Sequence, residues 1–571
     1  MQIILDDESV RPKQHGIAVQ NRRKQQGAKT EGKPWQAPAR RRVLGLALLC
    51  VALALSHASS LAGQDVLTYH NDNARTGQNL HESILTPANV NPSTFGKLFV
   101  IPVDGKVDAQ PLYKSQIPIP GKGTHNVLYV VTEHDSLYAF DADNGHELWH
   151  VSVLKPGETP SDDRECMQVT PEIGITATPV IDPSSGPHGT IYLVAMSKNA
   201  SGQYFQRLHA LDLTTGQEEF GGPVDIHATY PGTGDNSRDG KVIFDPKQYK
   251  ERSALLLVGR TIITTWASHC DYRPYTGWVI AYDENTLKQT GVLNITPNGT
   301  EGAFWGSGAG PAADRSGAIY LLAGNGTFDT RLTPSGFPVR GDYGNAFLKV
   351  VANDGDLKVA DYFNMMNTIS ETNIDMDLGS GGALVLPDMK DARGHVVHLA
   401  IGAGKDQNIY LVNRDRMGKF DPERNDIYQE LYHALDSGEF GMPAYFNGKV
   451  YFGAMLDVIR AFQFSNARLR PKPVSVTKNQ FSYPGATPSI SANGTQDAIL
   501  WAVDNNNFGD AVLYAYDANN LAHTLYSSEM APGGRDHFGA GNKFIVPTVA
   551  NGKVYVGTTN GVGVFGLLPR H

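Results

Sequence analysis

Residues 126–153 read NVLYVVTEHDSLYAFDADNGHELWHVSV. A β-branched run stops at an acidic turn, restarts as SLYAFD, turns at Asn-Gly and runs out past a tryptophan. Three short strands account for this, Val127–Thr132, Ser136–Asp141 and Glu147–Val153. Asp-Asn-Gly supplies the positive-φ residues of a hairpin turn. A lone meander of this size cannot bury its own apolar face, so the pattern has to recur.

It does recur. TIYLVAMSKNASGQYFQRLHALDLTTGQEEF ends on Phe220, GWVIAYDENTLKQTGVL follows from Gly277, NIYLVNRDRMGKF from Asn408 and VLYAYDANNLAHTLY from Val512. Asp141, Asp212 and Asp283 sit 71 residues apart. Strand-opening prolines recur in AQPLY, TATPVID, GAGPAAD, GMPAYF, GATPSI and IVPTVANGKVYVG. Together they mark about eight units of roughly 50–70 residues, the size of four-stranded propeller blades. The last unit, Phe544–Leu568, is too short for four strands, and the early strand FGKLFVIPV (Phe95–Val103) is placed to complete it. The expectation is an all-β, eight-bladed propeller of four-stranded antiparallel blades, its ring closed by N- and C-terminal strands so that no edge stays free. An open β-solenoid is the alternative, with shorter and more regular repeats. The 60 Gly and 33 Pro of the 571 residues suit such a turn-rich chain.

The N-terminus reads differently. Arg11–Arg42 holds ten Lys/Arg against the single acid Glu31, and is followed by VLGLALLCVALAL (Val43–Leu55) and a small-residue stretch. This is the layout of a secretory signal, with Ser60-Leu61-Ala62 as the expected cleavage site. An uncleaved membrane anchor over residues 43–62 is the alternative, although the apolar core is short for a span. Three parts follow: residues 1–62 as basic region and signal, 63–94 as an extension, and 95–571 as the propeller. Location in the periplasm or outside the cell is expected. Without residues 1–62 the chain carries 39 basic and 54 acidic residues, a net charge near −15, which disfavours a nucleic-acid partner. Cys166 and Cys270 then remain, either as a disulfide or as two unrelated thiols. No Cys-x-x-Cys-His is present, so no covalent haem is encoded. The segment YHNDNARTGQN from Tyr69 is polar and turn-like and suggests no mechanism.

LYVVTEHDSLYAFDADNGHELW closely resembles the repeat of pyrroloquinoline quinone (PQQ) propellers, in which the final Trp packs between neighbouring blades. A second stretch, FWGSGAGPAADRSGAIYLLAGNGTFD, resembles the quinoprotein alcohol dehydrogenase segment that places a Trp beneath the quinone and an Asn on calcium. The resemblance implies Trp305 as the platform and Asn325 as a Ca²⁺ ligand. An indole face suits a tricyclic ring, and an amide oxygen suits a hard cation. RGDYGNAFLKV resembles the segment carrying the base, which implies Asp342 as the group that takes the substrate hydroxyl proton beside the cation. GKDQNIYLVNRDRMGKF resembles the lysine stretch, which implies Lys405 as a quinone contact, with Tyr410 and Arg414 at the same offsets. Two departures stand out. No Cys-Cys pair exists, and no Glu precedes GWVIAYD, where the family has a calcium ligand; Asp271, one residue off, is the substitute. Asp375 and Asp377 in NIDMDLGSGG read as a solvated turn rather than a carboxylate pair. His269 shows no metal partners nearby in sequence.

Two functions follow as expectations. One is a PQQ- and Ca²⁺-dependent dehydrogenase of an alcohol or sugar, with an external electron acceptor. The other is a non-catalytic scaffold binding an envelope protein, peptide or glycan, with any membrane link made through residues 43–62.

Overall fold

The computed structural model describes residues 65–569, apart from 354 and 355. The signal or anchor expected within residues 1–62 lies outside the described residues. Among the described residues, no helix is long and apolar enough to cross a membrane.

The quoted stretch folds as read, into antiparallel strands Gly123–Val131, Ser136–Asp141 and Glu147–Ser152, with Leu112–Ile119 on the open side of the first. The recurrent aspartate has a local reason. Asp141, Asp212, Asp283 and Asp517 each accept the backbone N–H two residues on, at 2.8, 2.8, 3.1 and 2.8 Å, and so close the turn between the outer strands. The tryptophan has a tertiary one. Trp149 Nε1 donates to Leu213 O (3.3 Å), and Gly216 leaves room for its ring, since a Cβ there would stand 2.7 Å from it. The outer edge of one sheet is thus keyed into the hairpin of the next.

Eight sheets of four or more strands follow one another along the described chain, together with a three-stranded and a two-stranded sheet. The one α-helix among the described residues, Thr368–Asn373, is six residues long. The early strand Phe95–Pro102 pairs antiparallel with Gly561–Leu567 in the last sheet, Phe95 opposite Leu567 and Pro102 opposite Gly561. Apolar cores lie between successive sheets. One contains Trp266 and Trp278 and another Phe95, Trp501 and Phe565.

The segment without a sequence-based role proves central. Val66 exchanges backbone hydrogen bonds with Tyr113, and Leu67 O accepts from Ile181 N (2.8 Å). Asn73 Nδ2 donates to Leu257 O (2.7 Å), and Asn73 O accepts from Ala313 N (2.6 Å). Ala74 O, Thr76 O and Gly77 O accept from Val385, Tyr445 and Ile490 N (2.9, 2.8 and 2.7 Å), and Asn79 Nδ2 donates to Val549 O (2.9 Å). These partners lie on one strand in each of the eight sheets, met in chain order. A polar, turn-rich sequence serves here because each residue must offer hydrogen bonds sideways to a different sheet.

Candidate functional site

Loops at the ends of several sheets supply the site. Asp271, Asn325 and Lys405 each stand two or three residues beyond the second strand of their sheets: Thr261–Ser268, Ile319–Leu322 and Leu399–Ala403. Trp305 and Asp377 lie on the segments leading into the first strands Ala312–Ala313 and Leu384–Val385. Backbone bonds stitch these loops across sheets: Gly324 N to Ala303 O (2.9 Å), Asn345 N to Gly324 O (2.8 Å) and Lys405 N to Asp377 O (2.9 Å).

The structure brings Asn325 and Lys405 together around the two aspartates. Lys405 Nζ stands 2.8 Å from Asp377 Oδ1 and 2.5 Å from Asp375 Oδ1. Asn325 Nδ2 donates to Asp375 Oδ1 at 2.6 Å and reaches Asp377 Oδ1 at 3.4 Å. The reading of both aspartates as a solvated turn holds for Asp375 alone. Asp377 has no exposed surface, because its turn packs against Gly324 through Gly379. Asn325 Oδ1 and Asp377 Oδ2 are buried without a hydrogen-bond partner. Burial pushes the Asp377 carboxyl above its ordinary range despite Lys405. For Lys405, burial opposes the charge, but Asp377 and Asp375 outweigh it and hold the ammonium above its usual value.

Trp305, half-buried, closes one side. Its ring lies on Gly324, where a Cβ would sit 2.7 Å from Cδ1, so only glycine fits beneath the indole. Trp305, Asp271 and Lys405 line a single cleft of about 490 Å³, open mouth included, with Arg252, Lys543 and Phe544 across from them. Arg252 packs over Phe544, 4.3 Å from its centroid, and Lys543 lies 5.5 Å from that of Tyr483. The cleft therefore has an acidic, amide-bearing pole and a basic, aromatic one.

Asp342 takes other partners. Its Oδ1 accepts from Asn298 N (2.8 Å), and Oδ2 lies 3.9 Å from Arg340 Nε. Like Asp377 it is fully buried and is not among the residues lining the cleft, but unlike Asp377 it makes no contact with Lys405, which does line it. Burial pushes its carboxyl up to about 6. A carboxyl that holds its proton more tightly folded than unfolded favours the folded state at low pH, and that contribution disappears as pH rises through the folded value. Stability measured by urea unfolding should therefore fall between about pH 4 and pH 6, and Asp342→Asn should flatten that fall. An identical pH profile in the variant would contradict this assignment. Tyr410 and Arg414 are structural: Tyr410 Oη donates to Asp406 (2.5 Å), and Arg414 pairs with Asp314 (2.7 Å).

Cys166 and Cys270 form a disulfide, with Cα atoms 5.7 Å apart. It joins loops of consecutive sheets, and Gln168 and Asp271, next to the half-cystines, both line the cleft. Gln168 Oε1 in turn accepts from Arg252 (3.2 Å). Thiol titration of the unreduced, denatured chain from residue 63 onward should find no free cysteine. Removing the bridge by Cys270→Ser should cost about 2–5 kcal/mol. Two titratable thiols would refute the pairing.

Asn325 Oδ1, buried without a partner, is a hard oxygen of the kind a divalent cation takes, and the rim carboxylate of Asp271 faces the same cluster. They are fewer than the roughly six to eight that calcium requires, so ligand atoms must complete the shell. In keeping with this, no three His, Cys, Asp or Glu side chains converge as a metal cage among the described residues. The indole wall and the cations Arg252, Lys405 and Lys543 fit a flat, anionic aromatic ring.

By fold, the chain is a β-propeller of the kind found in quinoprotein dehydrogenases. Solved structures to which it is similar include quinohemoprotein alcohol dehydrogenase from Comamonas testosteroni, at 14% identity and TM-score 0.57, covering 89% of this chain and 82% of that one. The quinohemoprotein alcohol dehydrogenase ADHIIG from Pseudomonas putida HK5 matches at 14% identity and TM-score 0.53, with the same coverage of 89% and 82%. A europium-containing methanol dehydrogenase matches at 11% identity and TM-score 0.55, covering 90% of this chain and 100% of that one. No protein-family model and no curated protein matches the sequence.

Proposed function

We propose that the chain is an eight-bladed propeller acting as a quinoprotein oxidoreductase. In this reading its cleft takes a quinone of the PQQ type with a divalent cation such as Ca²⁺, and oxidises an alcohol or a sugar. The pairing of Phe95–Pro102 with Gly561–Leu567 supports a closed ring, as do the bonds of Val66–Asn79 to a strand in each of the eight sheets. The observation that carries the chemistry is Asp377, a fully buried carboxylate with one unpartnered oxygen, held between an amide and an ammonium beside a tryptophan-walled cleft.

Trp305 supplies the platform, and Arg252 and Lys543 meet the anionic edge of the ring. Asn325 Oδ1 and Asp271 are the donors toward the cation. When bound, the quinone is the two-electron acceptor and the cation polarises its carbonyl. Asp377 Oδ2 takes the substrate hydroxyl proton, and burial makes it a stronger base than a surface carboxylate. Lys405 keeps that carboxylate oriented through Oδ1. This moves the base from Asp342, the residue expected from sequence, to Asp377. Electrons leave to a separate acceptor. Export of the chain belongs to the same proposal and is checked by N-terminal sequencing of the mature protein from fractionated cells. The decisive test is reconstitution of the purified chain with PQQ and Ca²⁺. Bound-quinone absorbance and alcohol- or sugar-dependent dye reduction are expected. Failure to bind quinone would leave the scaffold reading as the better one.

A further inference from the structure

Three residues in a row after Trp305 have left-handed backbone: Gly306 (φ 53°), Ser307 (φ 50°, ψ 42°) and Gly308 (φ 90°). That region costs energy for a residue with a Cβ but not for glycine, so a third glycine would be the relaxed choice in the middle. What serine adds there is a hydroxyl. Ser307 is 4% exposed and lines the same cleft as Trp305, and its Oγ donates to Ser380 O at 2.9 Å. Ser307 N donates to Trp305 O (2.6 Å), which ties the serine to the tryptophan's own turn.

Ser380, buried at the cleft wall, ends the turn Asp377-Leu378-Gly379-Ser380. Two other bonds anchor that turn: Lys405 N donates to Asp377 O (2.9 Å), and Leu378 N donates to Asn345 Oδ1 (2.8 Å). Ser307 joins it to the turn that carries Trp305. The bond belongs to a series. Ser253 Oγ donates to Phe304 O (3.3 Å), and Ser380 Oγ donates to Glu439 O (2.8 Å). Ser253, Ser307 and Ser380 precede strands Leu256–Val258, Ala312–Ala313 and Leu384–Val385, and each donates to the segment leading into the next sheet. Elsewhere in the ring, Ser489 Oγ makes the same kind of link to Pro547 O (2.9 Å), and Ser489 is not among the residues lining the cleft.

We propose that Ser307 is a positioning residue for the oxidation, its hydroxyl bond to Ser380 O holding the Trp305 platform and the Asp377 base in register. The inference rests on the oxidoreductase reading of the cleft. The platform and the base stand on segments of two different sheets, so their spacing is fixed only if the two turns cannot slide past each other. A misplacement of about 1 Å between reacting groups is enough to slow a reaction by orders of magnitude. Ser307 moves no proton itself and acts through the two groups it joins.

The test compares Ser307→Gly, Ser307→Ala and Ser489→Ala in the full chain. Ser307→Gly suits the left-handed backbone and takes away the hydroxyl, whereas Ser307→Ala takes it away and keeps the Cβ. By absorbance titration both should bind PQQ about five- to tenfold more weakly, the equivalent of one hydrogen bond. At saturating quinone both should reduce dye about tenfold more slowly, with kcat and kcat/KM falling alike. Ser489→Ala loses a link of the same length and should unfold at lower urea concentration, yet keep wild-type quinone affinity and turnover. Wild-type values in either Ser307 variant would overturn the positioning role and leave the oxidoreductase reading intact. Equal losses in Ser489→Ala would overturn it too, because loosening any junction between sheets would then suffice. Wild-type protein that binds no quinone would sink the oxidoreductase reading and the positioning role with it.

Discussion

Asp377→Asn should lower alcohol-dependent dye reduction by about 10²–10⁴-fold, the range for loss of a positioned general base, while quinone absorbance on reconstitution stays unchanged. Asparagine keeps an oxygen to accept from Lys405 and Asn325 but cannot take a proton at neutral pH. The fall should therefore appear in kcat and kcat/KM alike. Asp342→Asn, made beside it, should leave turnover near wild type, because Asp342 is bonded to Asn298 and does not contact Lys405, the cleft-lining cation that holds Asp377. The reverse pattern, with Asp342→Asn inactive and Asp377→Asn active, would return the base to Asp342 and refute the assignment made here.

Replacing Arg75 should have the largest effect on stability. Its guanidinium is fully buried and donates to Pro311 O (2.9 Å), Thr68 Oγ1 (2.7 Å), Tyr69 O (2.8 Å) and Leu255 O (3.0 Å). These acceptors lie on its own segment and beside strands Leu256–Val258 and Ala312–Ala313 of two different sheets. Arg75→Met strands all four, and hydrogen bonds to charged groups contribute about 1.5–3 kcal/mol each. With partial relaxation, urea unfolding should register a loss of about 3–5 kcal/mol. Arg75→Lys should recover less than half of it, since one ammonium cannot reach acceptors set out for a planar fork. A Met variant as stable as wild type would show that the segment does not tie the sheets together.

Where side chains answer to near neighbours, the sequence was informative. The β-branched strand runs and the Asp-closed turns, four of them at Asp141, Asp212, Asp283 and Asp517, are local, and their reading survives in the described sheets. The pairing of Phe95–Pro102 with the C-terminal strand was also legible, because a short last unit demands a partner. Trp305 and Lys405, expected from motifs whose offsets are fixed by single strands and their following loops, both line one cleft, and Asn325 meets Asp375 beside Lys405.

What sequence could not supply came from residues far apart. Asp377 and Asp375 look alike in NIDMDLGSGG, yet one is sealed by Gly379 packing on Gly324 and the other is solvated. The polar segment from Tyr69 reads as a loop until its carbonyls are seen to meet strands as distant as Ile490. By itself the sequence determined the strands, the turns and their repetition, since these follow from backbone propensity and alternation over a few residues. Which carboxylates are buried, and what they face, was decided only by the tertiary structure, because burial and electrostatic contact belong to the packing of sheets rather than to any one of them.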